Sequence, residues 1–321
     1  MSQLAINSVY GELKVFSGRA HPALTREICD YLELPVGKIE VYNFLDGEIF
    51  CQIQENVRGT DVFIVQPISR PGNENLMELL IMMDACKRAS AARVNAVLPY
   101  YGYARQDKKD KPRVPITAKL VADLLSAAGA DRILTMDLHA PQIQGFFDVP
   151  VDHLFAAPVM LDAIRELEMP DLTIVSPDAG GVERSRAIAK RLHAELAIVD
   201  KRRVAANEAE VLHVIGEVEG RSVLILDDII DTAGTVIHTV HALKEKGAQR
   251  VLAAGIHGLL SGPAIDRIEE SPLESVLMTN TTPVEEKVAR CKKLRVFSVA
   301  PLLGEAIRRI HENSSVSSLF V

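Results

Sequence analysis

The sequence predicts an α/β protein of two tandem domains, each a mainly parallel sheet flanked by helices. Three observations carry this. The chain has 321 residues, more than one hydrophobic core usually accommodates, so two domains are expected. Strand-like and helix-like patterns alternate along its whole length. A faint internal repeat also runs through it: DVFIVQP, a polar loop, a helical pattern and ARVNAVLPYYG in the first half echo RSVLILDD, its loop and helix, and QRVLAAGIHG in the second. Where the second copy has Asp227-Asp228, the first has Gln66-Pro67 and so has lost its acids. The boundary is expected near Phe155 to Pro158, giving domains 1–156 and 157–302, with 303–321 a last helix that returns to the first domain.

Taken in order, Glu12 to Gly18 reads as a strand and His21 to Leu32 as a short helix. VYNFLDGEIFCQIQENVRGTDVFIVQP reads as three short strands broken at the turn dipeptides Asp46-Gly47 and Arg58-Gly59. Asn75 with Glu78 resembles a capping box, and Leu76, Leu79, Leu80 and Met83 recur at helical spacing before a strand at Arg93 to Leu98. After the basic loop ARQDKKDKPR comes a second amphipathic helix, marked by Leu120, Val121, Leu124 and Leu125 and stopped at Gly129. The second half opens with a helix around Val159. TIVSPDAGGVERSRAIAKRL then gives a strand, a glycine loop and a helix, and Leu196 to Val199 a strand running into DKRRVAANEAE.

Hydrophobic content of 48% and charged content of 25% fit an ordinary globular protein rather than a disordered one. Thirty-six basic against 43 acidic side chains argue against general nucleic-acid binding, so any anion site is local. Cys29, Cys51, Cys86 and Cys291 are scattered without zinc-ligand spacing, which reads as buried reduced thiols. The opening MSQLAINSVYGELK lacks a basic n-region with an apolar h-region, and no apolar stretch is long enough to span a bilayer, so a cytoplasmic location without membrane partners is expected.

The stretch Val223 to Thr235, VLILDDIIDTAGT, concentrates the chemistry. Its aliphatic start fits a strand buried on both faces of a parallel sheet, and its acids fall at the strand's carboxyl end, where open α/β sheets bind ligands. Asp231, Thr232, Ala233, Gly234 and Thr235 lead into a helix running to Lys246 and closed by Gly247. Free N–H groups and two hydroxyls at a helix N-terminus favour a phosphate. Asp227 and Asp228 would repel that phosphate and instead suit hydroxyls or a metal on the same ligand, so a sugar phosphate fits. Asp178 at a strand end, with Gly180 and Gly181 beyond it, lets a polyphosphate approach the backbone. Neither G-x-x-x-x-G-K-[ST] nor G-x-G-x-x-G occurs, which argues against a P-loop and a dinucleotide fold.

The acid pair and loop resemble the phosphoribosyl-pyrophosphate loop shared by type I phosphoribosyltransferases and ribose-phosphate diphosphokinases. The similarity to the diphosphokinase family extends along the chain through NFLDGE, NLMELL, ARQD, PITAKL, DLHAPQIQGFF and VSSLF. It implies two type I phosphoribosyltransferase-like domains and transfer of the diphosphoryl group of ATP to ribose 5-phosphate. By resemblance, Phe44 stacks on adenine and Asp46, Gly47, Glu48, Arg105 and Gln106 contact ATP. His139 and Asp178 serve Mg2+, and Lys201 and Arg203 are the catalytic cations of a flap. Loop 231–235 takes the 5-phosphate, with Asp227 and Asp228 at the ribose hydroxyls. The resemblance also implies a hexamer, with inorganic phosphate and ADP as effectors at Arg58, Ser315 and Ser317. Leu45 stands where relatives usually have Ser, Val204-Ala205-Ala206 where they often have prolines, and Ser318 where they often have Tyr. A phosphoribosyltransferase shares the loop but needs neither the NFLDGE and ARQD segments nor the flap. A non-catalytic regulatory subunit is disfavoured by the intact cations, His139 and acid pair. No residue stands out as a dedicated general base.

Overall fold

The computed structural model describes residues 10–202 and 211–319. The chain divides into two compact units, Met1–Phe155 with Val299–Val321, and Ala156–Ser298. The first unit runs β1 (Leu13–Ser17), α1 (Pro22–Leu32), β2 (Ile39–Asn43), β3 (Ile49–Ile53), β4 (Asp61–Val65), α2 (Gly72–Arg88), β5 (Arg93–Leu98), α3 (Thr117–Ala127), β6 (Arg132–Met136) and β7 (Val151–Leu154). Its sheet has the order β1-β4-β5-β6-β7, parallel at every pairing, while β2 and β3 form a separate antiparallel ribbon.

Every residue of β4 and β5 is buried, as expected of strands covered on both faces. One layer of the core joins Val62, Ile64, Val94, Ala96 and Leu98 to Leu79 and Met83 of α2 and Val121 and Leu125 of α3. Leu120 and Leu124, which the periodicity also marked, lie on the exposed side of α3.

The capping box expected at Asn75 and Glu78 does not form. The helix starts earlier, with Pro71 as its N-cap and no side-chain cap bond. The Asn75 amide donates to the Ser69 carbonyl, and Glu78 accepts from the Arg19 N–H and guanidinium and from the Gln66 amide. Longer-range partners have outcompeted the local cap.

The second unit runs α4 (Ala157–Arg165), β8 (Leu172–Ser176), α5 (Val182–Leu192), β9 (Glu195–Arg202), β10 (Val211–Ile215), β11 (Ser222–Ile230), α6 (Gly234–Glu245), β12 (Arg250–Gly258), α7 (Ala264–Glu270), β13 (Val276–Thr279), α8 (Glu285–Arg290) and β14 (Leu294–Phe297). Its sheet order is β10-β9-β8-β11-β12-β13-β14, with only the β9–β10 pairing antiparallel. Val223, Ile225, Val251 and Ala253 pack with Val236, Val240 and Leu243 of α6 and Ile265 and Ile268 of α7.

Both units follow the same course of strand, helix, antiparallel strand pair, central strand, helix and three further strands, although the pair stands apart in the first unit and joins the sheet in the second. β4 corresponds to β11. The register sets Ser17, the last residue of β1, opposite Val65, and Val175, the last but one of β8, opposite Ile225, so Gln66, just past β4, corresponds to Asp227, which still lies within β11. In the first unit the Gln66 side chain is tied into local hydrogen bonds. The Gln66 side-chain oxygen accepts the Ala20 N–H, and a Cβ on Gly18 would stand 2.1 Å from it, so a larger residue there would displace the Gln66 amide from this bond.

Helix α9 (Ala300–His311) packs on α1 in the first unit. Its end is held by a buried cluster in which Asp61 accepts two bonds from Arg93 and one contact of 2.9 Å from His311 Nδ1. Arg93 also donates to the Ile310 carbonyl. Against the desolvation that opposes it, the bidentate Arg93 guanidinium, then His311 and the Asn95 amide, hold the Asp61 carboxyl below its usual range. All four cysteines are free thiols, three buried and Cys51 half-buried.

Candidate functional site

In the second unit, the carboxyl ends of β8 and β11 lie side by side. β11 continues through the acids, so Asp227 and Asp228 are its sixth and seventh residues rather than a loop beyond it. The Asp228 N–H donates to Asp227 Oδ1 at 2.9 Å, which anchors the Asp227 carboxyl on the backbone of the next residue. Burial, Asp228 and then Asp178 push the Asp227 carboxyl up to about 7 from an ordinary 3.8. Three acids thus share a neighbourhood rich in acceptors for hydroxyl donors.

The chain then turns through Asp231 and Thr232 to Ala233, which is left-handed (φ 59°) and precedes the first residue of α6. Gly234 and Thr235 therefore belong to the first helical turn, and their N–H groups lack intrahelical partners. No side chain caps this helix. Arg267 of α7 donates to the Thr232 carbonyl at 2.9 Å and bolts the loop from behind.

At the end of β8, Asp178 Oδ1 accepts the Gly181 N–H at 3.0 Å and the Ser176 hydroxyl donates to the Asp178 carbonyl. A Cβ on Gly181 would come within 2.9 Å of the Ser176 hydroxyl, so a larger residue would crowd the loop's own hydrogen bonds. Arg184, in the first turn of α5, sits 3.5 Å from Asp228. Lys201 is the penultimate residue of β9, its backbone in register with Leu212. Arg203 lies outside the described residues.

In the first unit, the tip of the β2–β3 ribbon carries Phe44 to Glu48. The Phe44 N–H donates to the Glu48 carbonyl, and Asp46 Oδ1 accepts the Glu48 N–H at 3.1 Å, so one Asp46 oxygen shapes the turn. The Phe44 ring is 46% exposed and meets Tyr42 and Phe50 edge-on, which leaves surface for a planar ligand. Arg105 and Gln106 are exposed at the start of the basic loop. Gln106 is engaged locally: its side-chain oxygen accepts the Thr117 hydroxyl and its carbonyl the Ala118 N–H, joining the loop to α3. His139 is exposed three residues beyond β6. His139 and Asp178 belong to different units, and no group of three or more His, Cys, Asp or Glu arranged for a metal occurs among the described residues.

The Arg58 N–H donates to Asn56 Oδ1, and its side chain lies on an exposed turn three residues before Asp61. After α9 the tail folds back: Arg309 donates to the Ser315 carbonyl and the Ser318 hydroxyl, and Ser315 accepts the Ser317 N–H.

Sequence reasoning missed Arg184 and Arg267. Arg184 carried one signal, a cation in the first turn of a helix where the dipole disfavours it. Arg267 carried none.

Two family models match the chain. One is described as the N-terminal domain of ribose phosphate pyrophosphokinase, at residues 13–129, and one as a phosphoribosyl synthetase-associated domain, at 202–321. A ribose-phosphate pyrophosphokinase of Caldanaerobacter subterraneus subsp. tengcongensis is 55% identical over 96% of this chain and 98% of its own. That of Burkholderia pseudomallei is 53% identical over 98% and 99%. Among solved structures, the phosphoribosylpyrophosphate synthetase of Mycobacterium smegmatis superimposes with a TM-score of 0.90 at 45% identity, covering 95% of this chain and all of that one. With more than half its residues identical to such relatives along nearly its entire length, the chain belongs to the ribose-phosphate pyrophosphokinase family.

Proposed function

We propose that this chain transfers the β,γ-diphosphoryl group of ATP to the anomeric hydroxyl of ribose 5-phosphate, giving phosphoribosyl pyrophosphate and AMP for nucleotide biosynthesis. The observation that carries the reading is the division of chemistry along β11 and its loop. Two carboxylates suit ribose hydroxyls, and beyond them N–H groups and hydroxyls suit the 5-phosphate. The relatives' shared name supports the same reaction.

In this mechanism the anomeric oxygen attacks the β-phosphorus in line and AMP leaves. Such transfers depend mainly on positioning and on neutralising charge. Asp231, Thr232, Ala233, Gly234 and Thr235 hold the 5-phosphate, and Asp227 and Asp228 orient the sugar. The Asp178–Gly181 loop takes the diphosphoryl group. Lys201 and Arg203 neutralise the charge that shifts during transfer. Phe44 stacks on adenine, with Asp46, Gly47, Glu48, Arg105 and Gln106 as further nucleotide contacts.

Magnesium bound with the nucleotide supplies further charge neutralisation. Asp178 offers the kind of oxygen a hard cation prefers, with Oδ1 held in place by the Gly181 N–H. Asp178 and, through water, His139 are the residues proposed to hold it.

The reading extends to a cytoplasmic homohexamer with inorganic phosphate as activator and ADP as inhibitor at Arg58, Ser315 and Ser317. The exposed Arg58 turn and the serine tail folded back on Arg309 support this by offering a cation and hydroxyl donors of the kind that bind an anion. No helix among the described residues is long and apolar enough to cross a membrane.

The test is incubation with ATP, magnesium and ribose 5-phosphate. Release of AMP that requires the sugar phosphate is expected; hydrolysis to ADP, or AMP formed without the sugar, refutes the reading.

A further inference from the structure

Arg184 has no task in the reaction as set out above, yet its position is costly. It is the third residue of α5, where its charge faces the positive end of the helix dipole. Its Nη1 lies 3.5 Å from Asp228 Oδ1, and the pair is uneven: the Asp228 side chain is 9% exposed and that of Arg184 29%. A deep carboxylate is thus held by a cation that still reaches solvent.

Two anions compete for this guanidinium. Asp228 must accept ribose hydroxyls in the reading above, and a guanidinium resting on Oδ1 takes up acceptor capacity that the sugar needs. The Asp178–Gly181 loop, three residues upstream of Arg184, is where the diphosphoryl group is placed. A planar fork of donors binds phosphate oxygens in parallel pairs more effectively than it binds one oxygen of a carboxylate. A diphosphoryl group is also the more highly charged partner.

We propose that Arg184 is a positioning residue that couples the two substrates: it pairs with Asp228 in the free enzyme, and it transfers to the diphosphoryl group when ATP binds, which releases Asp228 to the ribose. The inference rests on the diphosphokinase reading. It requires nucleotide to tighten ribose 5-phosphate and, by linkage, ribose 5-phosphate to tighten nucleotide by the same factor.

The experiment is calorimetric titration of ribose 5-phosphate into the full-length chain with magnesium, with and without α,β-methylene ATP, whose scissile bond is blocked. The wild type is expected to bind the sugar phosphate roughly fivefold or more tightly with the analogue present. Arg184→Ala is expected to bind it at least as tightly as wild type without the analogue, and to show less than about twofold coupling. Arg184→Lys keeps the charge but not the fork and is expected to fall between them. Binding weakened equally in both conditions, with coupling intact, marks a merely structural role and overturns the proposal. Should thermal melts show Arg184→Ala unfolded, Arg184→Lys decides, and wild-type coupling in it overturns the proposal. Wild-type AMP release is measured in parallel. Its absence refutes the functional reading itself, whereas AMP release with unchanged coupling in the variants refutes only the role of Arg184.

Discussion

Asp227→Asn should make the unliganded protein more stable while damaging its function. The carboxyl sits against Asp228 and Asp178, and displacement from 3.8 to about 7 means that ionising it costs the folded chain up to about 4 kcal/mol. The sign follows from proton binding. Between these two values the folded chain holds a proton that the unfolded chain has lost, so stability is complete below about pH 4, falls as the pH rises toward 7, and is flat above that. Asn keeps an oxygen for the Asp228 N–H and removes the charge. Since Arg184 already offsets part of the repulsion, a gain of about 1–2 kcal/mol is expected at pH 8, or roughly 2–8 °C in the melting temperature of a domain this size. Thermal and urea unfolding at pH 5 and pH 8, with chelator and without substrates, measure it. The variant should lose less stability than wild type across that interval. A variant no more stable at pH 8, with the wild-type pH slope, refutes the account of the acid pair.

Further outcomes follow from the proposed roles. Lys201→Ala should lower turnover on the order of a thousandfold with little change in KM, and steady-state kinetics showing under tenfold loss would falsify its role. Phe44→Ala should raise the KM for ATP roughly two- to tenfold through lost stacking. Asp231→Asn and Arg267→Ala should instead raise that for ribose 5-phosphate, and the same Michaelis constant rising in both sets contradicts the division of substrates. Arg58→Ala should blunt activation by inorganic phosphate, read from activity and sedimentation across a phosphate titration at fixed magnesium. Flat wild-type activity rules the effector out.

The strands were legible because parallel strands buried on both faces are apolar for most of their length, as at residues 62–65 of β4 and 96–98 of β5. The ribbon and its turn were legible because Asp46-Gly47 interrupts two β-like runs. The acid pair and phosphate loop could be read because strand, carboxylates and helix N-terminus are contiguous in the chain. What escaped depends on partners distant in sequence. Asn75 and Glu78 matched a local cap, but Ser69, Arg19 and Gln66 took their side chains. Arg184 reaches Asp228, and Arg267 the loop at Thr232, only through the packing of α5 and α7 on the sheet. The raised Asp227 was equally hidden, since adjacent aspartates in sequence say nothing of burial. The flap cations were legible as Lys-Arg-Arg after a strand; Lys201 lies within that strand's pairing with β10, and Arg203 lies outside the described residues.

The most direct test of the central claim follows the phosphorus. ATP labelled at the β-phosphate is incubated with the protein, magnesium and ribose 5-phosphate, and the products are separated. Diphosphoryl transfer predicts the label in phosphoribosyl pyrophosphate and unlabelled AMP in equal amount. Label remaining in ADP or in free pyrophosphate, with the sugar phosphate unlabelled, contradicts it.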